Sequence, residues 1–141
     1  DGSGYVSAAQ RSMSAKPTAD SNDYVWRFNQ AATTFSDAAA AEAFVTKSQA
    51  AWQRCDNRSI NSRFTDQQDS YDVYWTVGTS SLKDGTLSVA NIQEGGGGWT
   101  CMHALTSRNN VVLDLQACSE GADDTAVAKA VDAFRAKVDA A

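Results

Sequence analysis

The sequence lacks most of the features that mark membrane-spanning and metal-dependent proteins. It contains no apolar run of about 18 residues, so no segment predicts a membrane span. Its only histidine is His103, and none of its three cysteines, Cys55, Cys101 and Cys118, forms a Cys-x-x-Cys pair. A structural zinc site needs a full set of closely spaced ligands. We therefore expect no metal site and no cofactor.

Positive charge is also scarce. The chain of 141 residues has 12 basic and 17 acidic residues, which gives a net charge of -5. Arg54, Arg58 and Arg63 lie close together, but Asp56 interrupts the group. Because the overall field repels nucleic acid and no basic patch opposes it, we expect no nucleic-acid partner. The 43% hydrophobic content is typical of a folded protein, and the length fits one domain over residues 1–141.

The common catalytic motifs are missing. The run Gly95–Gly98 is not followed by Lys-Ser or Lys-Thr, so it is not a phosphate-binding loop. Strand alternation would place Cys101 and His103 on one face, but a strand offers a cysteine neither a cationic neighbour nor a helix N-terminus. We interpret His103 as a half-buried structural residue. The sequence predicts no catalytic residues.

Two segments have the apolar periodicity of helices. The first begins after Ser36, which we expect to cap it, and ends near Arg54. The second runs from about Asp123 to Val138. Each presents one apolar stripe, formed by Ala41, Phe44, Val45, Ser48 and Trp52 in the first and by Val127, Ala130, Val131, Phe134 and Val138 in the second.

The remaining segments alternate between apolar and polar residues, as strands do. The predicted strands are Tyr5–Arg11, Tyr24–Asn29, Asn57–Thr65, Ser70–Thr79, Thr86–Glu94, Trp99–Thr106 and Val111–Ala117. Asp84-Gly85 and Asn109-Asn110 are typical of tight hairpin turns. Strands joined by hairpins and bracketed by helices predict an α+β fold: an antiparallel sheet of about five to six strands with two main helices packed on one face.

Several of these segments together resemble the PknH-like extracellular domain family. The resemblance rests on Trp52–Cys55, Gln93–Leu105, Arg108–Asp114 and Ala117-Cys118, and it extends from about Ala43 to the end of the chain. Where this family commonly has Gln and then Arg after its second motif cysteine, this chain has Met102 and His103. Members are outer domains of transmembrane kinases or exported lipoproteins and secreted proteins of mycobacteria and their relatives.

The resemblance implies a location and a set of disulfides. It implies the extracellular or periplasmic side of the cell envelope, with membrane attachment only through an anchor outside this chain, or secretion. The family has two disulfides, and its fourth cysteine would fall upstream of Asp1. This implies a Cys101–Cys118 bridge and leaves Cys55 as the orphan. Spacing alone leaves open a bridge from Cys55 to either other cysteine, and Cys55 could also link two chains in a dimer.

The family fold surrounds a cleft that is thought to bind a small ligand. Ligand sites combine apolar walls with a few convergent polar groups. On this basis the candidate rim residues are Arg27, Tyr71, Tyr74, Trp75 and His103. The predicted function is a non-catalytic sensor domain that binds an unidentified small molecule or cell-envelope ligand. The alternatives are a protein-interaction or structural envelope lipoprotein module, and a hydrolase.

Overall fold

The structure, a computed structural model, describes residues 4–21, 23–65 and 70–141. Its helices are α1 (Ala38–Gln53) and α2 (Thr125–Asp139). Its strands are β1 (Ser7–Ala15), β2 (Trp26–Thr34), β3 (Ser59–Thr65), β4 (Ser70–Val77), β5 (Ser81–Lys83), β6 (Thr86–Gln93), β7 (Trp99–Arg108) and β8 (Val111–Glu120).

All eight strands form one antiparallel sheet that curls into a half-barrel. Seven strands follow the order β1-β2-β8-β7-β6-β4-β3, and β5 pairs with β6 beside this path. The α+β class is confirmed, but the predicted count of about five to six strands is too low. Short β5 was not predicted because three residues are too few to establish a period. The strand predicted over Tyr5–Arg11 corresponds to β1, which runs over Ser7–Ala15.

The two helices pack on opposite faces of the sheet, so the prediction that both pack on one face is wrong. Adjacent residues of a strand point to opposite faces. In β7, Leu105 belongs to the core under α1, whereas Ala104 belongs to the core under α2. In β8, Val112 belongs to the core under α1 and Leu113 to the core under α2. We call these surfaces the α1 face and the α2 face.

The central strands β7 and β8 are buried on both sides because each face carries its own apolar cluster. The α1 cluster contains Phe35, Ala41, Val45, Leu87, Leu105 and Val112. The α2 cluster contains Ala104, Leu113, Leu115, Ala117, Val127 and Val131. Strands that are buried on both faces carry consecutive apolar residues instead of strict alternation, and this is the pattern of Val111-Val112-Leu113.

Helix α1 begins one residue later than predicted. Asp37, not Ser36, is its N-cap, and Asp37 Oδ1 accepts a hydrogen bond from the backbone N–H of Ala40 at 2.8 Å. The hydroxyl of Ser36 instead donates to Asp37 Oδ2 at 3.2 Å. A carboxylate satisfies a free N–H of the first turn and also favours the positive end of the helix dipole.

The two predicted tight turns are confirmed by their backbone angles. Asp84 and Gly85 join β5 to β6 with φ values of 49° and 72°, and Asn109 joins β7 to β8 with φ of 49°. The first of these turns is also tied to α2. Arg135 Nη2 donates to the carbonyl of Asp84 at 2.8 Å and lies 3.1 Å from Oγ1 of buried Thr106.

Candidate functional site: a hollow on the α1 face

A disulfide joins the two central strands on the α1 face, near one end of their hairpin. Cys101 of β7 and Cys118 of β8 lie directly opposite each other in the sheet and are bonded. Both are buried, with 3% and 5% of their surface exposed. This confirms the pairing that the family resemblance implied. Cys55 is a free, exposed thiol just after α1.

Beside this disulfide, the concave side of the curled sheet forms a hollow of about 490 Å³ that is open to solvent. No residue of α1 lines it, because α1 covers a different part of the same face. The lining consists of side chains from six strands that all point to the α1 face. They are Arg27, Ile60, Ser62, Phe64, Tyr71, Val73, Trp75, Asn91, Gln93, Trp99, Gln116 and the two bonded cysteines.

Strand register explains why these residues meet. In the β3–β4 hairpin, Ile60 lies opposite Trp75 and Phe64 lies opposite Tyr71. At the other side of the hollow, Arg27 of β2 lies opposite Cys118 of β8. Directly opposed residues in an antiparallel pair point to the same face, so the register brings the aromatic hairpin, the disulfide and Arg27 to one concave surface.

Aromatic rings dominate one wall of the hollow. The rings of Phe64 and Tyr71 stack with their centroids 5.2 Å apart. Both are well exposed, at 48% and 59% of their surface, while Trp75 and Trp99 are half-buried. Large rings left open to solvent on a concave surface are available to a ligand.

Among the described residues that line this hollow, Arg27 is the only charged one. Its guanidinium lies 5.0 Å from the centre of the Tyr24 ring. In the described parts of the chain, no carboxylate lies within ion-pairing distance of Arg27. A second hollow of about 460 Å³ adjoins the first and shares Arg27, Gln93 and Trp99 with it.

The outer face of the same hairpin is polar. Arg63 binds Asp72 through two hydrogen bonds of 2.7 and 2.9 Å. The Arg63 side chain, and to a lesser extent that of Asn61, lowers the pKa of Asp72 from 3.8 to about 2. Both strands of this hairpin therefore alternate between an inner row that lines the hollow and an outer row that contacts solvent.

The structure brings together three of the five predicted rim residues, Arg27, Tyr71 and Trp75. Tyr74 lies on the opposite face because it adjoins Trp75 in β4. His103 lies on the α1 face but outside the lining. Its Nε2 is 2.7 Å from Asp114 Oδ1, and its ring packs 4.3 Å from the Trp52 ring of α1.

Sequence reasoning did not name the other members of the lining that carry rings or amides, namely Phe64, Trp99, Asn91, Gln93 and Gln116. Alternation within β3 and β4 could have assigned Phe64 to the face of Tyr71. The remaining residues lie on strands β6, β7 and β8, and only the strand order and register show that they converge on the aromatic hairpin.

Over the described ranges 4–21, 23–65 and 70–141, no three His, Cys, Asp or Glu residues group closely enough to hold a metal ion. Within those same ranges, neither helix is long and apolar enough to cross a membrane.

A curled antiparallel sheet with one helix on each face and a buried disulfide defines a class of disulfide-stabilised α+β domains, a type suited to an oxidising environment. Residues 1–137 match the family model described as the PknH-like extracellular domain. The chain belongs to this family and is an extracellular, sensor-type domain.

Individual relatives agree with this assignment. The serine/threonine-protein kinase PknH of Mycobacterium bovis is 33% identical over 117 residues, which cover 83% of this chain and 18% of the kinase. PknH of Mycobacterium tuberculosis is also 33% identical over 83% of this chain and 17% of the kinase. The chain thus spans less than a fifth of these relatives, and its similarity lies in the extracellular domain and not in the catalytic domain.

The fold is likewise similar to that of a solved relative. The crystal structure of the extracellular domain of PknH from Mycobacterium tuberculosis superposes with a TM-score of 0.84 at 28% sequence identity. The superposition covers 99% of this chain and 68% of that chain.

Proposed function

We propose that the hollow on the α1 face is a ligand-binding site, and that the domain acts by binding a small molecule or cell-envelope ligand without transforming it. The observation that carries the proposal is the convergence of the Phe64–Tyr71 stack, Trp75 and Arg27 on one concave surface. A volume of about 490 Å³ lies within the range of small-molecule sites, which is roughly 300–1,000 Å³.

The chemistry of the lining supports binding without catalysis. Its described side chains are rings, aliphatic groups, amides, a hydroxyl, one guanidinium and a disulfide, and no carboxylate or imidazole occurs among them. General acid–base catalysis near neutral pH needs a group that gains or loses a proton in that range, most often a histidine or a carboxylate. The imidazole of His103 is instead packed against Trp52 and bonded to Asp114.

A thermal-shift screen tests the proposal. Small molecules and envelope components are added to the domain, since a ligand that binds only the folded state raises Tm. A true ligand should raise Tm for the wild type and for Tyr74→Ala, because Tyr74 points away from the hollow. The ligand-induced shift should be lost in Trp75→Ala and Trp99→Ala. Equal shifts in all four proteins would place binding elsewhere and overturn the proposal.

A second function, protein interaction, is favoured by a different observation. Ile60, Phe64 and Tyr71 are all exposed on the inner face of the β3–β4 hairpin, and exposed apolar side chains in one patch often mark a protein interface. Under this alternative, substitutions in the hairpin would weaken capture of a protein partner, while no small molecule would raise Tm through Trp75 or Trp99.

A further inference from the structure

We infer that the ligand of the hollow is an acidic oligosaccharide, held by its sugar rings on the aromatic wall and by a carboxylate on Arg27. This inference rests on the proposed binding function and assigns a chemical class to its ligand. The argument comes from the mixture of groups in the lining, the position of Arg27 and the size of the combined hollows.

The aromatic side chains suit the faces of sugar rings. A pyranose ring presents C–H groups on its flat faces and hydroxyl groups around its edge. Aromatic rings carry negative charge on their faces, so polarised C–H groups pack well against them. Trp75 and Trp99 are half-buried and therefore firmly held, yet each still presents surface to the hollow.

Amide side chains provide partners for hydroxyl groups. Asn91, Gln93 and Gln116 all line the hollow. Within the described chain, Asn91 and Gln93 make no side-chain hydrogen bond, and Gln116 Oε1 accepts one from Asn29 at 3.3 Å, which leaves its NH₂ group free. Each amide can both donate and accept, as can each sugar hydroxyl. An aliphatic ligand would leave these groups unpaired and desolvated, which costs free energy.

Arg27 selects for a negative charge. It lies between the two adjoining hollows and lines both of them. A guanidinium can bind a carboxylate through two parallel hydrogen bonds, and no described carboxylate already occupies Arg27. Because the protein carries a net charge of -5, long-range attraction does not favour anions, and this local cation must supply the preference.

The two adjoining hollows, of about 490 and 460 Å³, offer more room than one sugar ring fills, which favours a chain of sugars over a single sugar. The first hollow draws its lining from six strands between β2 and β3. The second hollow is also lined by Asp23 and by Tyr24, whose ring centre lies 5.0 Å from the Arg27 guanidinium and 5.4 Å from Lys16 Nζ.

Isothermal titration with matched glycans tests the inference. The probes are oligogalacturonate, hyaluronan fragments and muramic acid-containing glycan chains, each compared with its own methyl ester, which has the same rings without the negative charge. We expect at least one acid to bind and its ester to bind about tenfold or more weakly, as for loss of a charged hydrogen bond. Arg27→Gln should abolish this difference, and Trp75→Ala should weaken acid and ester alike by about tenfold or more.

Tyr74→Ala serves as the matched control, since it removes a ring from the other face of the same strand, and its affinity should equal that of the wild type. The inference is overturned if no acidic glycan binds at millimolar concentration, or if Arg27→Gln keeps the preference for acid over ester. If the thermal screen finds a non-saccharide whose shift depends on Trp75 and Trp99, the proposed binding function stands and only the saccharide assignment fails.

Discussion

The β7–β8 hairpin and the β3–β4 hairpin belong to the same sheet but differ in almost every physical respect. The first is buried on both faces and crossed by a disulfide. Among the described residues of the second, only Val77 is buried. The first therefore holds the fold together, while the second presents rings to solvent at an edge of the sheet.

Under the proposed binding function, this contrast assigns stability and binding to different parts of one sheet. Helices α1 and α2 both contact β7 and β8 but make no substantial contact with β3 and β4. A region with few buried apolar contacts contributes little to the free energy of unfolding and can adapt to a ligand. The exposed rings of β3 and β4 are thus free for recognition, and substitutions in the two hairpins should affect different measurements.

The largest expected effect is in the centre of the sheet. Leu115 of β8 is completely buried under α2, so Leu115→Ala should lower the free energy of unfolding by about 2–5 kcal/mol. Leu82→Ala, in the short edge strand β5, is the matched control because Leu82 is 41% exposed. Urea denaturation compares the two. A similar decrease in the free energy of unfolding in both variants would contradict the view that the centre of the sheet stabilises the fold more than its edge does.

Removal of the disulfide should have the next largest effect. The bridge joins residues 17 positions apart, and closing a ring of this size stabilises by about 3 kcal/mol in the chain-entropy model. The double variant Cys101→Ala, Cys118→Ala should lose a free energy of unfolding of this order. Cys55→Ser should leave stability unchanged because Cys55 is free and exposed. A double variant as stable as Cys55→Ser would show that the bridge does not stabilise the centre.

A smaller effect is expected where α2 is attached to the β5–β6 turn. Arg135 Nη2 contacts the carbonyl of Asp84 and the hydroxyls of Thr86 and Thr106. Arg135→Met should lower the free energy of unfolding by about 1–3 kcal/mol, the usual range for hydrogen bonds to a charged group. Lys129→Met, an exposed cation on the same helix, provides the control in chemical denaturation. An equal change in both would indicate a general charge effect.

The smallest effect concerns the outer face of the β3–β4 hairpin. Arg63 lowers the pKa of Asp72 from 3.8 to about 2, so the folded state binds this proton less readily than the unfolded state does. The stabilisation is complete above about pH 4 and is lost as the pH falls through about 2. Because the pair is exposed, the effect should be slight.

Comparison of the wild type with Asp72→Asn as a function of pH tests this. The difference in their free energies of unfolding should be largest near neutral pH and shrink toward zero as the pH falls through about 2. A difference that does not change with pH would show that ionised Asp72 does not stabilise the hairpin.

The sequence predicted the local elements better than their arrangement. Period-two alternation located β4, and Asp84-Gly85 located the β5–β6 turn, because both signals depend on neighbouring residues. The packing of α1 and α2 on opposite faces was missed. Two amphipathic helices fit either one face or both, and only the consecutive apolar residues Val112-Leu113 indicate a strand buried on both sides.

The candidate site was predicted in part for a similar reason. Tyr71 and Trp75 share a face by alternation, whereas Tyr74 was included only for its chemistry and falls on the other face. The meeting of Arg27 with the aromatic hairpin depends on the order β2-β8-β7-β6-β4-β3, which brings residues distant in sequence to one surface. No local pattern encodes such an order.

The four tryptophans allow the most direct test of the central claim, that the hollow on the α1 face binds the ligand. Trp75 and Trp99 line the hollow, Trp26 lies on the α2 face and Trp52 packs against His103. Indole N–H signals are recorded by ¹⁵N NMR while the acidic glycans and the small-molecule collection are added in turn. The account predicts that a ligand shifts the signals of Trp75 and Trp99 and leaves those of Trp26 and Trp52 in place. Shifts confined to Trp26 or Trp52 would contradict it.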